Sequence, residues 1–201
     1  MSRQRKSQSG FTIIEILLAM AIFSFVMITI ITAFSQIIRS YRKGVVSQRT
    51  QEATRQVVDF VSKEARVSTE ISVGVYGTGV NKVNILCFKN GSQFEYKANN
   101  HTLKQGSSSP SCNSLDPLAR NVVDKKELDV LKFKPSIKST SGTPPVTLGI
   151  NLEVSVGTNN GPDSLMNAAK TACDPLKAGS QFCSISSLKT SIGLRVKESG
   201  P

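Results

Sequence analysis

Hydrophobic and polar positions divide the chain into three regimes. Residues 1–10 are polar and basic, Ile16 to Ile38 carry no charge, and beyond Tyr41 the apolar residues become periodic. About 20 apolar residues at 1.5 Å rise suffice for a helix to cross the hydrocarbon core of a bilayer, so residues 11–43 read as a membrane-spanning helix. From Tyr41 to Val67 there is no proline, and Val46, Ala53, Val57, Phe60, Val61 and Ala65 recur at three- and four-residue steps. That is an apolar stripe on an otherwise polar helix, which places an amphipathic half at residues 44–68. Gly44 separates the halves at a cost of about 1 kcal/mol relative to alanine. A hinge or melted turn there and an ordinary tolerated glycine are both open readings. A helix from Phe11 to about Val67 is roughly 85 Å long, far beyond membrane thickness, so its second half must pack on something else in water.

The remainder, residues 69–201, alternates with a period of two and predicts that partner to be a β-sheet. Ile71–Tyr76 and Lys82–Phe88 are β-rich and flank the turn glycines Gly77 and Gly79. Lys89-Asn90-Gly91 is a hairpin signal, followed by Gln93–Lys97 and His101–Lys104, an antiparallel meander. Leu115–Val123 reads as a turn or short helix and Glu127–Phe133 as a strand whose alternation weakens at Leu131. Lys138–Pro145 reads as a polar loop and Val146–Val156 as a half-buried strand. Leu165–Ala172 reads as a helical turn and Ser184–Val196 as the last strand. The fold class expected is α+β.

The apolar run contains one anomaly. A carboxylate in a membrane helix costs on the order of 2.5–3.5 kcal/mol on insertion scales, less near an interface, so Glu15, one turn in, calls for a partner or a function. The preceding leader carries Arg3, Arg5 and Lys6, with no apolar segment of its own and no A-x-A site, unlike a secretory signal peptide. Lys6, Gly10-Phe11-Thr12 and Glu15 followed by an apolar helix resemble the class III signal of type IV pilins and related pseudopilins. The resemblance implies a pilin fold, with the amphipathic half of the helix filling one face of the sheet. It further implies cleavage by a prepilin peptidase between Gly10 and Phe11, methylation of the new N-terminal Phe11, and Glu15 as fifth residue of the mature chain. In an assembled filament Glu15 would pair with the α-amine of a neighbouring Phe11 and set subunit register. The helix segment Val57–Ile71 and the strands Val146–Val156 and Leu188–Val196 look most like minor pilins of the PilW class and the J-type pseudopilin. The proline common in the family's apolar helix is absent.

Composition changes this picture in two respects. The net charge is +11, of which the leader holds three positive residues, so a processed chain stays basic. Arg39, Arg42 and Lys43 compete with the leader under the positive-inside rule; the resemblance, not charge, implies a cytoplasmic leader and an outer domain. Cys87, Cys112, Cys173 and Cys183 all fall in that domain. An even number in an oxidising compartment suggests two disulfides among three possible connectivities. The short Cys173–Cys183 loop makes Cys87–Cys112 with Cys173–Cys183 the preferred pairing.

Catalysis has little to work with, and no enzyme activity or cofactor is expected. Ser40-x-x-Lys43 and Ser186-x-x-Lys189 match S-x-x-K without its companion motifs. His101 reads as a hairpin-turn residue. Asn159, Asn160, Asp163 and Asp174 offer loop oxygens of the kind that ligate calcium, but lack the D-x-D-x-D-G spacing, and no metal is assigned.

The expected function is that of a structural subunit of a type IV pilus-like filament, a minor pilin of the initiation or tip complex serving adhesion, twitching motility or DNA uptake. It would be held in the cytoplasmic membrane before assembly and displayed on the cell-surface pilus afterwards. Expected partners are other pilin subunits through the N-terminal helix, the prepilin peptidase, and membrane lipid. The alternatives are a pseudopilin of a type II secretion system and a DNA-binding competence pilin. The 25 Lys and Arg favour DNA, but the aromatics available for stacking, Tyr76, Tyr96 and Phe94, are few.

Overall fold

The computed structural model describes residues 12–107, 119–124, 126–139, 147–158, 165–167, 172–177 and 179–194. They fall into two compact units divided between Arg42 and Lys43. Helix α1 spans Ile13–Val67, 55 residues that include Gly44. Eight strands follow: β1 (Ile71–Tyr76), β2 (Val83–Phe88), β3 (Ser92–Lys97), β4 (Thr102–Ser107), β5 (Arg120–Asn121), β6 (Leu128–Ser139), β7 (Thr147–Thr158) and β8 (Ile185–Gly193). The architecture is α+β, a long N-terminal helix with antiparallel sheets, and is consistent with a pilin fold.

In the C-terminal unit the helix buries Thr50, Ala53, Thr54, Val57, Val58, Val61 and Ala65. Phe60 departs from the expected stripe. It lies off the edge of the buried face and is 46% exposed, while Val58 and two threonines take up the interior. Those threonines are tolerated because their hydroxyls are satisfied locally: Thr54 Oγ1 donates to the Thr50 carbonyl at 2.7 Å, and Thr50 Oγ1 donates to Ser47 at 2.9 Å. The helix ends without a glycine. Instead Ser68 Oγ donates to the Glu70 carbonyl and accepts from the Lys89 amide, and the Glu64 carboxylate accepts from Asn90 and Ser92. Those bonds pin the last turn to the β2–β3 hairpin, whose Lys89-Asn90-Gly91 turn needs the positive φ of +90° that Gly91 supplies.

The expected single sheet is two. Strands β1 to β5 form a five-stranded meander in sequence order, and β6-β7-β8 form a separate three-stranded sheet. One contiguous core lies among the helix and both sheets, with Val57, Val61, Leu86, Phe94, Phe133 and Val154 fully buried. Phe88 and Phe94 meet edge to face at 6.0 Å and 81°, a preferred aromatic geometry. Tyr96 and Phe133, from different sheets, have ring centroids 6.4 Å apart. Asn84 Nδ2 donates to the Phe133 carbonyl at 2.6 Å, and the Tyr96 hydroxyl donates to the Leu131 carbonyl at 2.8 Å.

Several local expectations are corrected. β6 continues through Lys138 to Ser139 where a loop was expected, with Pro135 buried on it. It is an outer strand of its sheet, where a missing N–H costs no ladder bond. The weak alternation at Leu131 is a bulge, a register shift between Val130 and Lys132. It lets Val130 and Phe133 both face the core and sends Leu131 to a second small cluster around Leu165, Met166 and Cys183. Leu165–Asn167 is not helical; Met166 instead bridges antiparallel to Cys173. Within Leu115–Val123 the described residues, 119–123, contain the two-residue strand β5, Arg120–Asn121. Gly157 lies beneath Met166, and a Cβ there would displace the Met166 methyl and the end of the Leu131 side chain.

Burial of Tyr96, and secondarily the negative charge of Asp129, push its phenol up to about 12. A folded-state value above the ordinary one near about 10 means that the contribution is fully present below that pH and lost as pH rises towards about 12. Ultraviolet titration of tyrosinate is expected to show one step near about 12 that disappears in Tyr96→Phe. An unchanged titration in that variant contradicts the assignment.

Candidate functional site

The segment with the most distinctive chemistry is the N-terminal half of α1. Thr12 precedes the first helical residue, and its carbonyl accepts from the amides of Glu15 at 3.1 Å and Ile16 at 3.3 Å. Glu15 thus occupies the first turn, where the positive end of the helix dipole favours a carboxylate. Thr12-x-x-Glu15 is also the sequence form of a capping box.

Among the described residues, the helix surface on the C-terminal side of that carboxylate is apolar. Ile13 is 81% exposed, Leu17 and Leu18 62% each, and Phe25 70%. No part of this apolar stretch is buried inside the protein, and the helix is long and apolar enough to cross a membrane by length and composition. Glu15 borders an apolar groove lined by Ile16, Ala19, Met20 and Phe23, in which Ala19 leaves the opening.

The hydroxyls in this segment do not conflict with an apolar environment. Ser24 donates to the Met20 carbonyl at 2.8 Å, Thr29 to Val26 at 2.7 Å, Thr32 to Thr29 at 2.9 Å and Ser35 to Ile31 at 2.9 Å. Each of these four hydroxyls is therefore satisfied by its own helix, as hydrocarbon surroundings demand. Among the described residues no side-chain hydrogen bond or ion pair is made by the Glu15 carboxyl group.

Gly10 and Phe11 lie outside the described residues. Cys173 and Cys183 form a disulfide with Cα atoms 5.8 Å apart. Cys87 is buried on β2 and is also disulfide-bonded; Cys112 lies outside the described residues. Of the four calcium candidates, Asn159, Asn160 and Asp163 lie outside the described residues. Asp174 is in a turn, its Oδ1 accepting from the Leu176 amide at 3.0 Å. Ser186 and Lys189 sit three residues apart on β8, opposite Val156 and Glu153 of β7. They point to opposite faces of the sheet and cannot act on one substrate. Ser40 and Lys43 lie on α1. His101 takes a positive φ of +52° in the β3–β4 turn. Phe94 and Tyr96 are core residues and offer no stacking platform, which leaves Tyr76 at 47% exposure.

Residues 5–31 match the family model described as the prokaryotic N-terminal methylation motif. No curated protein and no solved structure matches the chain. The motif supports a type IV pilin-like or pseudopilin subunit and indicates a structural role. It implies processing by a prepilin peptidase and contact with other pilin subunits, and with the apolar helix it supports membrane anchoring before assembly.

Proposed function

We propose that this protein is a structural subunit of a type IV pilus-like filament, a minor pilin of the initiation or tip complex. It is anchored in the cytoplasmic membrane with its β-rich domain outside, cut after Gly10, methylated on Phe11, and then packed into the fibre through α1. The observation that carries this reading is the methylation motif at residues 5–31, which takes in the start of an exposed apolar stretch of α1 whose one charged residue before Arg39 is Glu15. In the membrane the apolar surface meets lipid; in a fibre the same surface meets other helices. The transfer therefore needs no refolding, only an exchange of one apolar neighbour for another. The minor-pilin assignment rests on the pattern of the Val57–Ile71 helix segment and the two long closing strands.

Substituting Gly10→Val places a branched side chain at the scissile bond. Immunoblots of the membrane fraction are expected to show only the full-length precursor and no mature chain. Processing and piliation at the level of the parent protein would sink the reading.

A further inference from the structure

The outward face of the β6-β7-β8 sheet carries chemistry that filament assembly does not use. Strand register places Lys132, Ser155 and Ser187 in one row, Lys134, Glu153 and Lys189 in the next, Ser136, Asn151 and Ser191 in a third, and Lys138 beside Gly149 and Gly193 in a fourth. Three lysines, Lys132, Lys134 and Lys189, thus stand about one carboxylate, and Lys138 lies two rows further along β6. Glu153 is held by Lys132 at 2.9 Å and Lys189 at 3.4 Å, and the hydrogen bond from Lys132 leads the causes that hold its carboxyl below the ordinary range. Lys134 and Lys138 are exposed and make no ion pair among the described residues. A shallow depression of about 380 Å3 lies between Lys134 and β8, lined by Lys134, Ser136, Asn151, Glu153, Lys189 and Ser191 among others.

We propose that this face docks the phosphate backbone of duplex DNA. Lysine, serine, threonine and asparagine are the side chains that meet phosphate and sugar oxygens in protein–DNA contacts, and they fix position without reading sequence. Along β6 the lysines from 132 to 138 span about 20 Å at roughly 3.3 Å per residue. Duplex DNA carries one charge per about 1.7 Å of axis, so about a dozen phosphates pass over that length. Beside Lys138 the exposed Gly193 has open space where a side chain would stand, which leaves that end of the row accessible to a polymer backbone. No aromatic stands in any of the four rows, so single strands, which bind through base stacking, are not the ligand. The proposal does not depend on whether the chain enters a filament.

The test uses the full chain in detergent micelles with a fluorescein-labelled mixed-sequence duplex, followed by anisotropy at increasing NaCl. Binding is expected to weaken linearly on a log–log plot with a slope of about −3, each neutralised phosphate contributing about −0.9. Lys134→Gln/Lys138→Gln is expected to bind at least about tenfold more weakly at low salt and to lose about 2 from the slope. Lys63→Gln/Arg66→Gln, which removes the same charge from the helix, is expected to change neither by more than about twofold. Equal loss in both double variants, no binding by the parent chain, or binding to alginate with none to the duplex would each overturn the proposal, the last by reassigning the face to an acidic glycan.

Discussion

Phe133→Ala is expected to lower the stability of the C-terminal unit by about 3–5 kcal/mol, the range for truncating a buried phenylalanine. Phe133 is fully buried, contacts the Tyr96 ring across the gap between the two sheets, and presents its carbonyl to Asn84. Truncation opens a cavity where the sheets meet, among the buried side chains of the helix and both sheets. Domains carry only about 5–15 kcal/mol in total, so the loss is a large fraction of the whole. Calorimetry of the full chain in detergent is expected to show Tm falling by about 10–20 °C. Phe60→Ala is the informative companion. Phe60 is nearly half exposed, and its removal is expected to cost less than about 1 kcal/mol. Equal losses for the two variants would contradict the core described above.

Glu15→Ala is expected to separate anchoring from assembly. Removing a carboxylate from a membrane helix relieves about 2.5–3.5 kcal/mol of insertion cost, so the variant still inserts and is still processed. Assembly behaves oppositely. If Glu15 pairs with the α-amine of a neighbouring Phe11, deleting it leaves that amine charged and unpaired in an apolar fibre, a penalty of about 3–5 kcal/mol or about 150- to 4000-fold. Immunoblots of sheared filaments against membranes are expected to show mature protein in the membrane and at least about a hundredfold less in filaments. Incorporation equal to the parent chain would remove Glu15 from the assembly contact.

Much of this organisation was legible because it depends on periodicity and on turn chemistry. The uncharged run to Ile38, the glycine turns and the alternation of β7 are local signals, and the elements they predict form. The stripe on α1 was read from apolar residues alone. That missed Thr50 and Thr54, whose hydroxyls are satisfied by the helix itself, and it included Phe60, whose size suggests burial although its angular position does not. The bulge at Leu131 was visible only as imperfect alternation, since the register of β6 is fixed by its pairing with β7. The split into two sheets, and Met166 seated over Gly157, are tertiary facts with no local sequence signal. For the candidate site the position of Glu15 was readable, because leader, junction, carboxylate and apolar run are contiguous. The lysine face was not, because its rows join residues from three strands separated along the chain.

The central claim is that the chain is made as a precursor and matured at its N-terminus. Mass spectrometry of the N-terminal peptide from the membrane form tests it most directly. A chain beginning at Phe11 and carrying one methyl group on its amine is the predicted result. A chain that retains residues 1–10 in cells with an active prepilin peptidase would contradict it.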